Sequence, residues 1–119
     1  MNLERISEFL AELAGATEEQ PFEPSVDVFK VENRIFAILS PGSSPEAISL
    51  KCGPERAIEL REEFDATTPG YHLNKRHWNT VVLDGTIRDD VVLEMLRHSY
   101  DCVVTGLTKA VRDRLARGV

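Results

Sequence analysis

The chain has 119 residues and a mass of 13.4 kDa, which is the size of one globular domain. Its residues are 42% hydrophobic and 29% charged, a composition that excludes a disordered or collagen-like protein. A formal net charge of -6 excludes a broadly basic protein that coats nucleic acids indiscriminately.

The sequence predicts a protein without a membrane span or a secretory leader. Its longest uncharged apolar run, residues 35–39, is far shorter than the about 18 residues that cross a bilayer. The N-terminal segment lacks a basic stretch followed by an apolar one, so we expect a cytoplasmic location. Cys52 and Cys102 have no Cys or His at zinc-ligand spacing, which predicts two reduced thiols that pack as small hydrophobic side chains.

Charge is distributed unevenly along the chain. Residues 1–70 contain 6 Lys and Arg against 14 Asp and Glu, whereas residues 71–119 contain 8 against 6. The net charges are therefore -8 and +2, which sum to the -6 of the whole chain. We expect an anionic partner, if there is one, to meet the second part.

Hydrophobic periodicity predicts the elements of the first half. They are an amphipathic helix at residues 2–14, an exposed connector at 15–25, and the two strands of a hairpin at 26–31 and 35–39. Glu32 and Asn33 form the predicted hairpin turn, because Asn tolerates the positive φ of a tight turn.

Turn residues and apolar stripes predict the second half. First come a strand at 47–52, a helix opened by Gly53 and Pro54, and a break at 67–70. A strand at 80–83 and a brief strand at Ile87 follow. The chain then continues as a long helix, capped by Asp89 with an apolar stripe to Leu107, and a basic helical tail at 108–119. Together the elements predict a single α+β domain spanning residues 1–119, with a mostly antiparallel sheet that packs one face against helices.

Three glutamates repeat at every fourth residue of the first predicted helix: Glu4, Glu8 and Glu12. One interpretation is a solvated face. The other is a surface that docks a protein partner or, with Glu18 and Glu19, collects divalent metal, although carboxylates along one exposed helix face make only a weak metal site.

Enzyme motifs are missing from the sequence. It contains no glycine-rich nucleotide-binding motif, no HExxH and no GxSxG. His98, Ser99 and Asp101 cannot form a catalytic triad by themselves, because neighbours on a helix point in different directions. His72 and His77 lack an obvious third metal ligand. We therefore expect no enzymatic activity, no cofactor and no metal.

A short polar segment has the residue types of a nucleic-acid contact. It places cations and histidines between two aromatic residues: Tyr71, His72, Lys75, Arg76, His77 and Trp78. Such a mixture binds phosphates by charge and bases by stacking. The alternative is that Trp78 is a core anchor and the charged residues only solvate a loop.

Four stretches of the sequence form a recognisable pattern. The two most specific are PGYHLNKRHWNTVVLDG at residues 69–85 and SYDCVVTGL at residues 99–107, supported upstream by VFKVENRIFAIL at 28–39 and LKCGPERAIELRE at 50–62. Together they resemble the MmcQ/YjbR family of small bacterial proteins. The sequence departs from the family pattern at Cys102, where Leu is usual, and at Asn33 and Arg34, where Gly and Lys are frequent.

This resemblance implies a frataxin-like (CyaY-like) α+β fold and a DNA-binding protein whose hairpins form a double wing. The family's GYHxNKxHWN motif falls on Gly70, Tyr71, His72, Asn74, Lys75, His77, Trp78 and Asn79. The resulting hypothesis is a non-enzymatic DNA-binding protein, in which phosphates contact Lys75, Arg76, Lys30 and Arg34 and a base stacks on Trp78 or Tyr71. The predicted binding residues also include His72, Asn74 and His77. The alternative hypothesis is a frataxin-like module that uses the acidic helix face for docking or metal collection.

Overall fold

Four helices and six strands make up the parts of the chain that the structure, a computed structural model, describes: residues 1–20, 26–40, 44–70 and 73–118. In chain order they are α1 (Leu3–Ala11), β1 (Ala16–Glu19), β2 (Asp27–Val31), β3 (Arg34–Ser40), β4 (Ala47–Lys51), α2 (Pro54–Glu63), β5 (Thr67–Pro69), β6 (Trp78–Val82), α3 (Asp89–Val104) and α4 (Lys109–Ala116). None of these helices is long and apolar enough to cross a membrane.

The six strands form one sheet in the order β1-β2-β3-β4-β6-β5, and every neighbouring pair is antiparallel. The β2–β3 turn is tight because Glu32 and Asn33 both adopt positive φ, at 48° and 63°. The predicted hairpin and its turn residues are therefore confirmed.

The helices cover one face of this sheet. Phe29, Ala37 and Leu50 lie side by side in the register and belong to a core cluster that also includes buried residues of all four helices. Helix α3 lies across β3, where the Ser99 hydroxyl donates to the Phe36 carbonyl and the Tyr100 ring packs edge-on against Phe36. The predicted α+β architecture, with helices on one face, is confirmed.

Local chemistry explains where the helices begin. The Asn2 side chain accepts a hydrogen bond from the Arg5 N–H at 2.9 Å and caps α1, and Thr108 caps α4 in the same way. Helix α2 begins with Pro54, whose missing N–H costs nothing in the first turn.

Four predictions about secondary structure were wrong. The expected connector at residues 15–25 contains β1, and the expected break at residues 67–70 contains β5. Both are edge strands, held by backbone pairing with one neighbour rather than by an alternating apolar pattern. Ile87 lies outside the strands, although its side chain is buried, and α3 ends at Val104 rather than continuing to Leu107. The frataxin-like and double-wing descriptions stay predictions.

Candidate nucleic-acid interface

One end of the sheet carries two hairpin connections. The β2–β3 turn follows the pair Val31 and Arg34, and the β5–β6 loop spans residues 70–77. Strand β4 lies between these hairpins, and its last residue, Lys51, pairs with Trp78, the first residue of β6. Both connections therefore project from the same end of the sheet, where these strands begin or terminate, and we call it the hairpin end.

Cationic side chains reach the hairpin end from three elements and a loop. Across the sheet they are Arg114 of α4, Arg34 of β3, Lys51 of β4, and Lys75 and Arg76 of the β5–β6 loop. Acidic residues near this end include Glu12, Glu32, Glu55, Asp101 and Asp113. The carboxylates of Glu32, Asp101 and Asp113 are paired with Arg114, Arg97 and Lys109.

The opposite end of the sheet is acidic. At the strand termini, or within two residues of them, lie Glu19, Asp27, Glu46, Asp65 and Asp84. The described residues at the same positions include no Lys or Arg. The charges at the strand ends are therefore separated along the strand direction, positive at the hairpin end and negative at the opposite end.

Asn74 determines the shape of the β5–β6 loop. Its side-chain oxygen accepts a hydrogen bond from the Arg76 N–H at 2.9 Å, and its carbonyl accepts one from the His77 N–H at 3.1 Å. This turn leaves the side chains of Lys75 and Arg76 exposed, and the Lys75 ammonium is 3.5 Å from the Gly70 carbonyl. Asn74 thus has a local structural role, as expected for a side chain that bonds backbone two residues on.

Trp78 is an anchor of this loop in the structure. Its side chain is only 9% exposed, and the Lys51 ammonium lies 5.7 Å from the ring centroid, within the range of a cation–π contact. Gly70 donates a 2.9 Å hydrogen bond to the Trp78 carbonyl across the hairpin. This geometry favours the anchor role of Trp78 over base stacking.

The two cations predicted on the β2–β3 hairpin have different surroundings. The Lys30 ammonium is 2.7 Å from the Glu19 carboxylate, and its side chain is 19% exposed. Arg34 is exposed beside the turn. Only Arg34 therefore offers an exposed charge to a partner, while the charge of Lys30 is neutralised by Glu19.

The structure brings together six of the predicted site residues: Arg34, Asn74, Lys75, Arg76, His77 and Trp78. Tyr71 and His72 lie outside the described residues. Lys51 and Arg114 were not predicted as site residues, because they reach the hairpin end only through the sheet register and the packing of α4. For Arg114, the sequence indicated only that the C-terminal tail is basic.

A thiol and imidazole cluster lies under the hairpin end. The Gly53 N–H donates to His98 Nε2 at 3.2 Å, and Cys102 Sγ is 3.3 Å from the same nitrogen. Burial raises the pKa of the Cys52 thiol to about 11 and also raises the pKa of Cys102. Both free thiols are therefore neutral near pH 7, which suits packing rather than nucleophilic chemistry.

The acidic face predicted on α1 is exposed. Glu4, Glu8 and Glu12 all lie at the surface of the first helix or its C-cap. Across residues 1–20, 26–40, 44–70 and 73–118, no three His, Cys, Asp or Glu side chains are placed to hold a metal ion. Docking of a protein partner at this face stays a prediction.

Solved structures with the same fold come from two bacterial species. Deinococcus radiodurans protein DR2400, described with the domain DUF419, superposes with a TM-score of 0.89 and 40% identity, over 97% of this chain and 88% of that one. A Pseudomonas syringae protein superposes with a TM-score of 0.74 and 25% identity, over 86% of this chain and 98% of that one.

Sequence comparison supports the same relationship. The YjbR family model matches residues 11–102. The YjbR protein of Escherichia coli strain K12 is 31% identical over 117 residues, which cover 98% of this chain and 99% of that protein. The YbdF protein of Escherichia coli O157:H7 is 33% identical over 98 residues, which cover 82% and 80%. The chain therefore belongs to the YjbR family.

Proposed function

We propose that this protein binds nucleic acid, with DNA as the expected partner, by contacting phosphates at the hairpin end without catalysing a reaction. The observation that carries the proposal is the separation of charge along the strands. Arg34, Lys51, Lys75 and Arg76 lie at one end, and the acidic strand termini lie at the other. A phosphate backbone would therefore meet a locally positive surface on an acidic protein.

Electrostatic screening makes this separation effective. A strand of 5 to 7 residues, such as β2 or β3, spans about 17–23 Å at about 3.3 Å per residue. The Debye length at physiological salt is about 8 Å, so a phosphate at the hairpin end is largely screened from carboxylates at the opposite end. The whole-chain charge is then a poor guide to binding at the hairpin end.

The spacing of the two hairpins suits contacts with separate phosphates. The centres of the β2–β3 and β5–β6 pairs are three strand positions apart in the sheet order, or about 14 Å. Lys51 lies between them at the end of β4. Two projecting hairpins with a cation between them can track a phosphate backbone rather than a single phosphate.

The environment of Trp78 supports a mode dominated by phosphate contacts. Because this ring is buried and lies under the Lys51 ammonium, it offers little area for stacking on a base. Binding through phosphates is steeply salt dependent and carries little sequence information. We therefore expect modest sequence preference.

The test is the salt dependence of binding to labelled duplex DNA, followed by fluorescence anisotropy. Each phosphate contact adds about 0.9 to the slope of log affinity against log salt for duplex DNA. The double change Lys75→Ala with Arg76→Ala should therefore flatten the slope by nearly 2, while circular dichroism stays unchanged.

A matched control removes the same charge at the other end of the molecule. Arg5 and Arg88 are exposed, at 60% and 81% of their side chains, and pair with Asp89 and Asp90. Arg5→Ala with Arg88→Ala should leave the salt slope unchanged. Equal slopes for both double variants would refute the hairpin end as the binding surface.

A further inference from the structure

A single guanidinium ties helix α2 to the cationic loop. Arg61 Nε donates to the Asn79 side-chain oxygen at 2.7 Å. The Nη2 group of Arg61 donates to the Trp78 carbonyl at 3.3 Å and also to the Lys75 carbonyl. One side chain thus reaches the loop at Lys75, the end of the loop at Trp78 and the neighbouring residue of β6.

Asn79 completes this connection from inside the protein. Its side chain is 2% exposed, and its amide N–H donates to the Ala57 carbonyl of α2 at 3.2 Å while its oxygen accepts from Arg61. Both ends of the buried amide are therefore satisfied by α2, as a buried polar side chain requires. The network joins α2, β6 and the loop into one unit.

The contacts of Arg61 are directed at the loop from the side of α2. Two of its donated bonds end on the backbone carbonyls of Lys75 and Trp78, which bracket Arg76 and His77, and the third ends on the Asn79 side chain. A planar guanidinium can donate to several acceptors in fixed directions, whereas an ammonium group cannot reproduce this arrangement of donors.

We propose that Arg61 is a positioning residue, which orders the β5–β6 loop so that Lys75 and Arg76 are held ready for phosphates. The inference rests on the proposed function for its consequence in binding. Its structural part, an ordered loop that depends on Arg61, stands on the hydrogen bonds alone. Preorganisation of this kind raises affinity because less ordering remains to be done on binding.

Amide hydrogen exchange of the free protein is the first test, comparing Arg61→Gln with wild type. The exchange of the Arg76 and His77 amides, whose hydrogen bonds form the loop turn, should accelerate by about tenfold, as expected when one or two net hydrogen bonds are lost. Amides in the middle of α3, such as that of Leu96, should be unchanged. Equal acceleration in α3 would mean general destabilisation and would overturn the proposal, as would unchanged loop amides.

Arg56→Gln is the matched control, because it removes the same charge from the same helix. The Arg56 guanidinium contacts Glu59 at 3.4 Å and Glu94 at 2.9 Å, both on helices. It should leave loop exchange at the wild-type rate. Acceleration of the loop amides in this variant as well would overturn a specific role for Arg61.

Duplex binding supplies the second readout. Arg61→Gln should weaken affinity about three- to tenfold with the salt slope retained, since the variant keeps every phosphate contact and only adds an ordering cost. A slope reduced by about 0.9 would overturn the proposal in favour of direct phosphate contact. If wild type shows no binding, the proposed function fails, while the exchange data still decide whether Arg61 orders the loop.

Discussion

Gly70 allows the close approach between the β5–β6 loop and β6, and replacing it by Ala should destabilise the protein. An added Cβ would lie 2.7 Å from Trp78 Cβ, 3.1 Å from the Trp78 carbonyl oxygen and 3.3 Å from Leu73 Cβ. Carbon atoms pack best at about 3.5–4.0 Å, so the hairpin must open by about 1 Å. The nearest atoms belong to or adjoin the backbone, so side-chain rotation cannot relieve the overlap.

Overpacking of this size costs typically about 1–3 kcal/mol, and we expect about 2 kcal/mol for Gly70→Ala. For a domain of this size, that loss lowers Tm by about 6–10 °C, measured by circular dichroism and by denaturant unfolding. Gly106→Ala is the control, because its added Cβ would meet only the Val103 carbonyl oxygen, at 3.5 Å. A Gly70→Ala protein within about 0.5 kcal/mol of wild type would refute the close-approach argument.

Two further predictions concern stability. Deletion of residues 1–14 should abolish the cooperative melt. Buried side chains such as Ile6 and Leu10 each contribute about 1.5–3 kcal/mol, whereas the net free energy of unfolding of a domain is typically only about 5–15 kcal/mol. A truncated protein with a full cooperative melt would contradict this. The Cys52 thiol has a pKa of about 8.5 in the unfolded chain and about 11 in the folded protein. Between these values the thiol is ionised in the unfolded chain but neutral in the folded protein, so the free energy of unfolding should fall as pH rises through this range. Cys52→Ala should reduce this alkaline loss in denaturant unfolding, and an identical pH profile would contradict the assignment.

The sequence predicts those elements whose own residues determine them. The β2–β3 hairpin follows from two β-rich runs and a turn residue, Asn33, that tolerates positive φ. Helix α2 follows from Pro54 and the pattern after it. Strands β1 and β5 could not be predicted in this way, because an edge strand is defined by the backbone it pairs with, and the Pro69 at the end of β5 is typical of a loop.

The candidate site was only partly predictable for a related reason. Lys75 and Arg76 are adjacent in a segment without acidic residues, so they can be identified from the sequence alone. Lys51 joins them only because β4 pairs with β6, and the burial of Trp78 depends on packing across the hairpin with Gly70. From the sequence alone, Arg61 is indistinguishable from an ordinary exposed arginine on a helix, because its hydrogen-bond acceptors are distant in sequence.

Mapping amide chemical shifts of isotope-labelled protein during titration with a short DNA duplex tests the central claim most directly. The account predicts salt-sensitive perturbations at the hairpin end, at Arg34, Lys51, Lys75, Arg76 and the neighbouring residues of α4. Amides near the acidic strand termini, such as Asp27 and Asp84, should not move. Perturbations confined to α1 or the acidic end, or none at about 50 mM salt, where phosphate contacts are strong, would contradict nucleic-acid binding at the hairpin end.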